Sequence, residues 1–340
     1  MTTDPRAQRL HQWLEQIWQQ PLAPPEAIFA DASFRRYFRY QRNGVSEIAM
    51  DAPPELEDCR PFVAMTKALA DGGLPVPQLL AEDLQLGFLC LSDLGDTHLY
   101  ARLIENDAQR WYQKALAMLP AFAEITSTVA GALPQYSRAL LTTELELFPQ
   151  WLLKTHLQLD VDAQMWQQLV EVLVGNAIEQ PQVGVHRDFH SRNLMVIGDT
   201  LALIDYQGAV VGPISYDVVS LLRDCYLVLP EAQITSLLQQ HLTQLKADGL
   251  LDETVTQEQF QRWFDLMGMQ RHLKAAGIFA RLHHRDGKSG YLADLPRVIN
   301  YLIAVGQRYV ETQPLAQLLA QQVAPRLANP LGEQMDDLSR

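Results

Sequence analysis

One stretch constrains this chain more than any other: residues 183–208, VGVHRDFHSRNLMVIGDTLALIDYQG. It carries His186-x-Asp188, then Asn193, and places Asp205 at the end of an apolar run. Val183–Val185 reads as a short strand and residues 186–193 as a polar loop. Leu194–Ile197 and Leu201–Ile204 are apolar and partly β-branched, and Gly198-Asp199-Thr200 joins them in the pattern of a hairpin. A hairpin returns to the end it started from. Asn193 and Asp205 are therefore expected at one end, beside the loop that holds Asp188. Residue types of this kind suit phosphoryl transfer, which needs few protein groups because it is mostly positioning and charge neutralisation. A carboxylate at 188 can take the proton of an acceptor hydroxyl. The oxygens of Asn193 and Asp205 can hold Mg²⁺, a hard cation that prefers such donors. Taken alone, the loop could also be a polar turn whose Asp and Asn satisfy backbone groups.

His-x-Asp-x-x-x-x-Asn, followed by a hairpin and an Asp, resembles the catalytic segment of the protein-kinase-like phosphotransferases. Ile204-Asp205-Tyr206-Gln207-Gly208 departs from the protein-kinase Asp-Phe-Gly and is similar to the aminoglycoside phosphotransferase branch, whose members phosphorylate small molecules. The resemblance implies Asp188 as catalytic base, Asn193 and Asp205 as Mg²⁺ ligands, and His186 as a structural prop. It also implies an α+β, bilobal protein-kinase-like fold. Residues 1–93 would form a small N-lobe with a five-stranded antiparallel sheet, and residues 94–340 a larger, mostly helical C-lobe.

Composition agrees with a soluble globular protein. The 340 residues are 48% hydrophobic and 20% charged, enough for a sizeable core in two lobes. A net charge of −13 disfavours non-specific nucleic-acid binding. No basic, apolar leader and no membrane-spanning run is evident. Cys59, Cys90 and Cys225 are odd in number and widely spaced, so they form neither a disulfide framework nor a zinc motif. The expectation is a cytoplasmic monomer with no nucleic-acid or membrane partner.

Along the chain, Asp4-Pro5 opens an amphipathic helix carrying Leu10, Trp13, Leu14, Ile17 and Trp18. Residues 26–51 read as a three-strand meander: Ala27–Ala30, the turn Asp31-Ala32-Ser33, Phe34–Tyr40, the hairpin signal Asn43-Gly44, and Val45–Met50. The resemblance lays the first turn, with Ser33, Phe34, Arg35 and Arg36, over the nucleotide phosphates. A kinase-like third strand should also bring a lysine. This one reads Glu47-Ile48-Ala49-Met50-Asp51, and the helix expected over Arg60–Ala70 has no mid-helix Glu to pair with one. Arg35, Arg36, Arg60 and Lys67 are the available cations. An arginine of the 33–36 turn is preferred, because a guanidinium forks onto phosphate oxygens. Pro77–Glu82 and Leu86–Leu91 complete the five strands. Ser92, Asp93 and Leu94 then leave the sheet where the resemblance implies a hinge against the adenine edge.

Helices are expected over Asp107–Thr126, Arg138–Leu153 and Asp162–Ile178. Glu144 is a candidate substrate contact, with a solvated helix face as the plainer reading. Asp217 sits where it can cap the helix that begins at Tyr216. The resemblance makes it a brace for the catalytic loop. Arg271, Lys274, Arg281 and Arg285 recur at near-helical spacing, and reading them as an anion site competes with reading them as a solvated face. Adjacent His283 and His284 are expected to point apart, which weighs against a metal site there.

The resemblance narrows further. Ala32–Arg39, Met50–Glu55, the HRDFHSRN run with Arg192, Gln270–Lys274 and Gly277–Leu282 are similar to the bacterial anomeric N-acetylmuramate/N-acetylglucosamine kinases, a subgroup that shares the missing strand-three lysine. This implies ATP- and Mg²⁺-dependent phosphorylation of a sugar C1 hydroxyl in peptidoglycan recycling, with Glu144, Arg192, Arg271, Lys274 and Arg281 as candidate sugar contacts. Two alternatives stay open. One is a kinase for an aminoglycoside, amino alcohol or hydroxy amino acid. The other is a non-catalytic module that kept the fold.

Overall fold

The computed structural model describes residues 4–28, 34–105 and 108–328. The turn Asp31-Ala32-Ser33 and the last dozen residues lie outside the described residues. The chain divides into two compact units, Met1–Leu133 with Arg192–Gly208, and Pro134–Ser191 with Ala209–Arg340. A cut at 93/94 falls inside the first unit. The reason is local bonding: Val196 N donates to Thr97 O (2.8 Å) and Leu203 N to Pro75 O (2.8 Å). Those bonds attach the hairpin Leu194–Ile197/Thr200–Leu203 to residues 75–97.

Helix α1, Pro5–Trp18, starts as its sequence predicts. The Asp4 carboxylate accepts from the backbone N–H of Arg6 and Ala7, and Pro5 needs no donor at that position. Its apolar stripe of Leu10, Trp13 and Leu14 packs on Phe38, Tyr40, Ala49, Phe88 and Cys90 of the sheet. The five strands are β1 (Glu26–Ile28), β2 (Arg36–Arg42), β3 (Val45–Asp51), β4 (Leu79–Asp83) and β5 (Phe88–Ser92). They pair antiparallel in the order β1-β2-β3-β5-β4. Asn43 and Gly44 both take positive φ (52° and 79°), the conformation a tight two-residue hairpin demands. Helix α2, Arg60–Asp71, buries Phe62, Met65, Thr66 and Leu69.

The lysine-free strand β3 uses its two acids structurally. Both point to one face, since side chains alternate along a strand. Asp51, fully buried, accepts from Arg6 (2.9 and 2.5 Å) and from Arg36 Nε (3.0 Å). Glu47 accepts from the Tyr40 hydroxyl (2.5 Å) and from Arg42 (3.0 Å). Buried carboxylates are tolerated where such donors replace their water.

The second unit is built on the 30-residue helix Gln257–Asp286, which is buried almost continuously from Trp263 to Leu273. Two expected helices are broken. Arg138–Leu145 is α-helical, but Phe148–His156 winds as a π-helix. Pro149 lies at its start and has no N–H to give an i→i−4 bond. Pro120 likewise falls where Ala108–Leu116 gives way to Leu119–Ala123. An antiparallel ladder of Gln182–Val185 with Val210–Pro213 was not legible beforehand. Among the described residues, no helix is long and apolar enough to cross a membrane.

Gly277 is where the long helix meets the entrance to the π-helix. A Cβ there would lie 2.4 Å from the Leu147 carbonyl carbon and 2.6 Å from its oxygen. Backbone cannot retreat as a side chain can. Gly277→Ala is expected to cost about 3 kcal/mol or more, or to prevent folding. Gly175→Ala, in a helix with nothing within 4 Å of the new methyl, should stabilise by up to about 1 kcal/mol. Thermal or urea unfolding of the two variants checks the contrast.

Candidate active site

In the first unit, Leu194–Ile197 pairs antiparallel with Thr200–Leu203, so that Thr200, expected in the turn, opens the second strand opposite Ile197. The hairpin closes at its open end by Ile204 N donating to Asn193 O (3.1 Å). This brings the Asn193 amide to 3.5 Å from the Asp205 carboxylate. Asp205 has a φ of 62°, a left-handed conformation that Asp tolerates better than most residues. Gln207 Nε2 donates to Asp205 Oδ1 (2.6 Å). Gln207 Oε1 is buried without a hydrogen-bond partner among the described residues. An amide oxygen, a carboxylate and an orphaned buried oxygen next to it form a hard-donor set. That set fits Mg²⁺ once the Asn193 amide turns its oxygen inward.

Tyr206 anchors this end, and its role was not foreseen. Its ring stacks on Phe62 of α2 with centroids 5.3 Å apart. Thr66 Oγ gives its proton to Phe62 O (2.8 Å), so the Tyr206 hydroxyl, 2.8 Å away, is the donor to Thr66. Helix α2, which lacks the glutamate of a lysine–glutamate pair, is thus tied to the Asp205 segment by a neutral hydrogen bond and a ring stack. The one sequence signal was an aromatic at 206 beside the acid.

In the second unit, the loop 186–191 is held from the Tyr216–Leu222 helix and the turn after it. Asp217 accepts from the backbone N–H of His186 (2.7 Å) and Arg187 (3.0 Å). It therefore braces the loop and does not cap its own helix, whose N-cap is Ser215. Burial pushes the Asp217 carboxyl up to about 6, against the pull of those two donors. Asp224 accepts from Ser191 N (3.0 Å) and Oγ (2.5 Å). His186 is fully buried, and its Nδ1 accepts from Asp188 N (3.3 Å). Arg187 has a φ of 74°, which turns the loop sharply just before Asp188.

Asp188 is solvent-exposed as a residue, yet protein surrounds its carboxylate closely. That crowding opposes ionisation. The positive charges of Lys274 and Arg271 outweigh it and hold the group below the ordinary carboxylate range. His190 lies in the same neighbourhood, and burial lowers its imidazole to about 4, so it stays neutral near pH 7. An ionised carboxylate with a low pKa suits a group that orients and receives a proton late in a dissociative transfer.

Glu144 is buried, which overturns the solvated-face reading. It accepts from the Tyr136 hydroxyl and from Arg187, and Lys274 Nζ lies 3.1 Å away. Lys274 also reaches the Tyr216 hydroxyl (3.3 Å). Arg271 is buried, with its guanidinium 3.4 Å from Cys225 Sγ. The basic run therefore splits. Arg271 and Lys274 turn into the unit around Asp188 and Glu144, whereas Arg281, farther along the helix, shares its surroundings with Arg285 and Asp286.

The other residues singled out from sequence are all in the first unit. Ser33 lies outside the described residues, and Phe34 is exposed. Arg35 is buried, paired with Glu57 (2.6 Å) and set over the Phe62 ring. Arg36 is engaged by Asp51 and Asp4. Ser92 closes β5 and accepts from Gln78 N (2.8 Å). Asp93 accepts from Ser46 (2.6 Å), Arg39 (2.7 Å) and Gly95 N (2.9 Å). Burial raises its carboxyl, and Ser46 and Arg39 more than offset that, leaving it lowered. Leu94 follows, half-buried. Arg192 is exposed, with its guanidinium over the Tyr100 ring and its carbonyl accepting from His98 (2.7 Å).

Residues 25–251 match the model of the phosphotransferase enzyme family. The chain belongs to that family. A relative within reach of it, the N-acetylmuramate/N-acetylglucosamine kinase of Pseudomonas aeruginosa, is 42% identical over 334 residues, covering 94% of this chain and 98% of its own. The family fold is also seen in solved structures. Choline kinase from Streptococcus pneumoniae superposes with a TM-score of 0.60 at 9% identity, covering 87% of this chain and 99% of its own. An ADP-bound aminoglycoside phosphotransferase gives 0.59 at 10% identity, covering 86% and 97%. The five-stranded antiparallel sheet and helical remainder of this chain are therefore those of a protein-kinase-like phosphotransferase.

The Tyr206–Thr66 bond can be tested by itself. Tyr206→Phe keeps the stack on Phe62 and removes only the hydroxyl, so it should cost about 1 kcal/mol of stability. Tyr206→Ala, which also loses the ring, should cost about 3 kcal/mol or more. No loss in Tyr206→Phe would assign the hydroxyl no part, and equal losses in the two variants would assign the ring none.

Proposed function

We propose that this chain is an ATP-dependent kinase that phosphorylates the anomeric C1 hydroxyl of N-acetylmuramate, N-acetylglucosamine or both, giving the sugar 1-phosphate used in cell-wall recycling. The observation that carries the reading is the placement of Asp188 among two cations, the half-buried Lys274 and the buried Arg271, in a family of phosphotransferases. A relative named for these two sugars, matching nearly end to end, supports the acceptor class. The ADP held by a structural neighbour supports the donor. Asp188 orients the anomeric hydroxyl and receives its proton. Asn193 and Asp205 would hold Mg²⁺, which when bound neutralises phosphate charge, and Gln207 steadies Asp205. Asp217 and His186 keep the loop carrying Asp188 in shape.

The cations also discriminate. N-acetylmuramate bears a lactyl carboxylate, and Arg271 and Lys274 offer it charge-assisted pairing. A polycationic aminoglycoside would meet repulsion there. Glu144 acts in this reading by holding Arg187 and Lys274 in place. Arg35 or Arg36 would serve the phosphates on exchanging Glu57 or Asp51 for them, with Ser33 and Phe34 beside them in the sequence and Ser92, Asp93 and Leu94 along the adenine edge. Arg192 and Arg281 complete the proposed sugar contacts. The lobe boundary at 93/94, a monomeric state and a cytoplasmic location, where ATP is supplied, belong to the same proposal.

Asp188→Ala should abolish ADP release over an acceptor panel while nucleotide binding, read by fluorescence or calorimetry, stays within about threefold. Near-normal turnover would remove Asp188 from its role. Arg271→Ala, with its fold checked by circular dichroism, should lower kcat/KM about tenfold more for the lactyl-bearing sugar than for its lactyl-free counterpart.

The pH profile gives a further check. Lys274 favours the ionised form of Asp188, so its removal must raise the Asp188 pKa. The acid limb of kcat/KM should move to higher pH in Lys274→Met than in the wild type. An unmoved limb would separate that limb from Asp188.

A further inference from the structure

Three histidines meet at the ends of two helices, just beyond Arg281. His156 ends the π-helix Phe148–His156, and His283 and His284 lie in the last turn of Gln257–Asp286. The adjacent pair does not diverge as expected, since its ring centroids are 4.6 Å apart. His156 Nδ1 lies 3.0 Å from His284 Nε2, and one nitrogen of each of the three rings lies within 4.8 Å of the other two. All three side chains reach solvent in part.

We propose that His156, His283 and His284 form a binding site for a borderline divalent transition metal of the Zn²⁺ class. Three features point that way. Neutral imidazole is a preferred ligand of such ions, and three of them with an open position is an established Zn²⁺ coordination number. Two nitrogens bound at about 2.1 Å to one ion stand about 3.0 to 3.4 Å apart, which the His156–His284 pair already satisfies. His283 Nδ1 is 2.9 Å from Ser289 Oγ. That contact orients the ring and leaves Nε2 as its open donor, as an outer-shell hydrogen bond does for a metal-bound histidine.

Helix direction adds to this. His156 and the 283–284 pair sit at the C-terminal ends of their helices, where carbonyls face a cation. Arg281, Arg285 and Lys154 oppose it with positive charge, although Asp286 pairs with Arg285 (2.7 Å). Mg²⁺, a hard ion, would not compete for three imidazoles. The ion would staple the end of the π-helix to the end of the helix that carries Arg271 and Lys274 farther back. The described cysteines are buried and are not rival ligands.

The test is Zn²⁺ binding to the full, tag-free chain by equilibrium dialysis with metal analysis, in excess Mg²⁺. One Zn²⁺ per chain is expected at micromolar or tighter affinity, together with a rise in Tm. His284→Ala, an exposed position, and His156→Ala should each weaken binding at least tenfold and lose the Tm rise. His11→Ala should behave as wild type. Kinase turnover without Zn²⁺ should be unchanged in all three, so failure here is separate from failure of the sugar-kinase reading. Wild-type affinity in His284→Ala, or no saturable binding at about 100 μM Zn²⁺, overturns the site and leaves a ring-to-ring hydrogen bond.

Discussion

The loop that carries Asp188 depends on one buried carboxylate. Asp217 takes two consecutive backbone N–H groups, those of His186 and Arg187, and so fixes the chain just before Asp188. Arg187 can hold its positive φ because the loop is pinned from both sides, by Asp217 before it and by Asp224 through Ser191 after it. The protein meets the cost of burying the Asp217 charge with those two donors. Its raised pKa shows that the compensation is incomplete. Strained backbone held by surrounding structure is common where a side chain must be aimed.

The first unit solves a different problem. A strand without lysine and a helix without glutamate cannot form the ion pair expected of a kinase-like chain. Strand β3 places Glu47 and Asp51 in arginine- and tyrosine-lined contacts, and α2 reaches the Asp205 segment through Thr66, Phe62 and Tyr206. The link is neutral and aromatic. It involves no desolvated charge pair, so it does not carry the uncertain balance of a buried salt bridge.

Charge in the second unit is arranged by pairing. Glu144 gathers Tyr136, Arg187 and Lys274, and so converts an acid in the sequence into a local neutraliser. Arg271 and Lys274 remain close enough to Asp188 to keep it ionised. The overall charge of −13 gave no hint of this, because net charge describes the surface field and not one pocket.

Much was legible in the residues alone. The hairpin joining Asn193 to Asp205 follows from two apolar runs around Gly198-Asp199, and backbone pairing over a few residues is a local matter. The Asn43-Gly44 turn, the Asp4 cap and the five strands are local in the same sense. What the sequence left ambiguous were side chains whose partners lie far along the chain. Glu144 and Arg187 are 43 residues apart, and Thr66 and Tyr206 are 140 apart. The same holds for His156 and His284, 128 apart. The sequence by itself determined the family, the strand order's raw material and the hairpin that joins Asn193 to Asp205. Tertiary structure alone decided which charges are buried, which are paired and which rings meet, because those depend on packing between distant helices and not on periodicity within one.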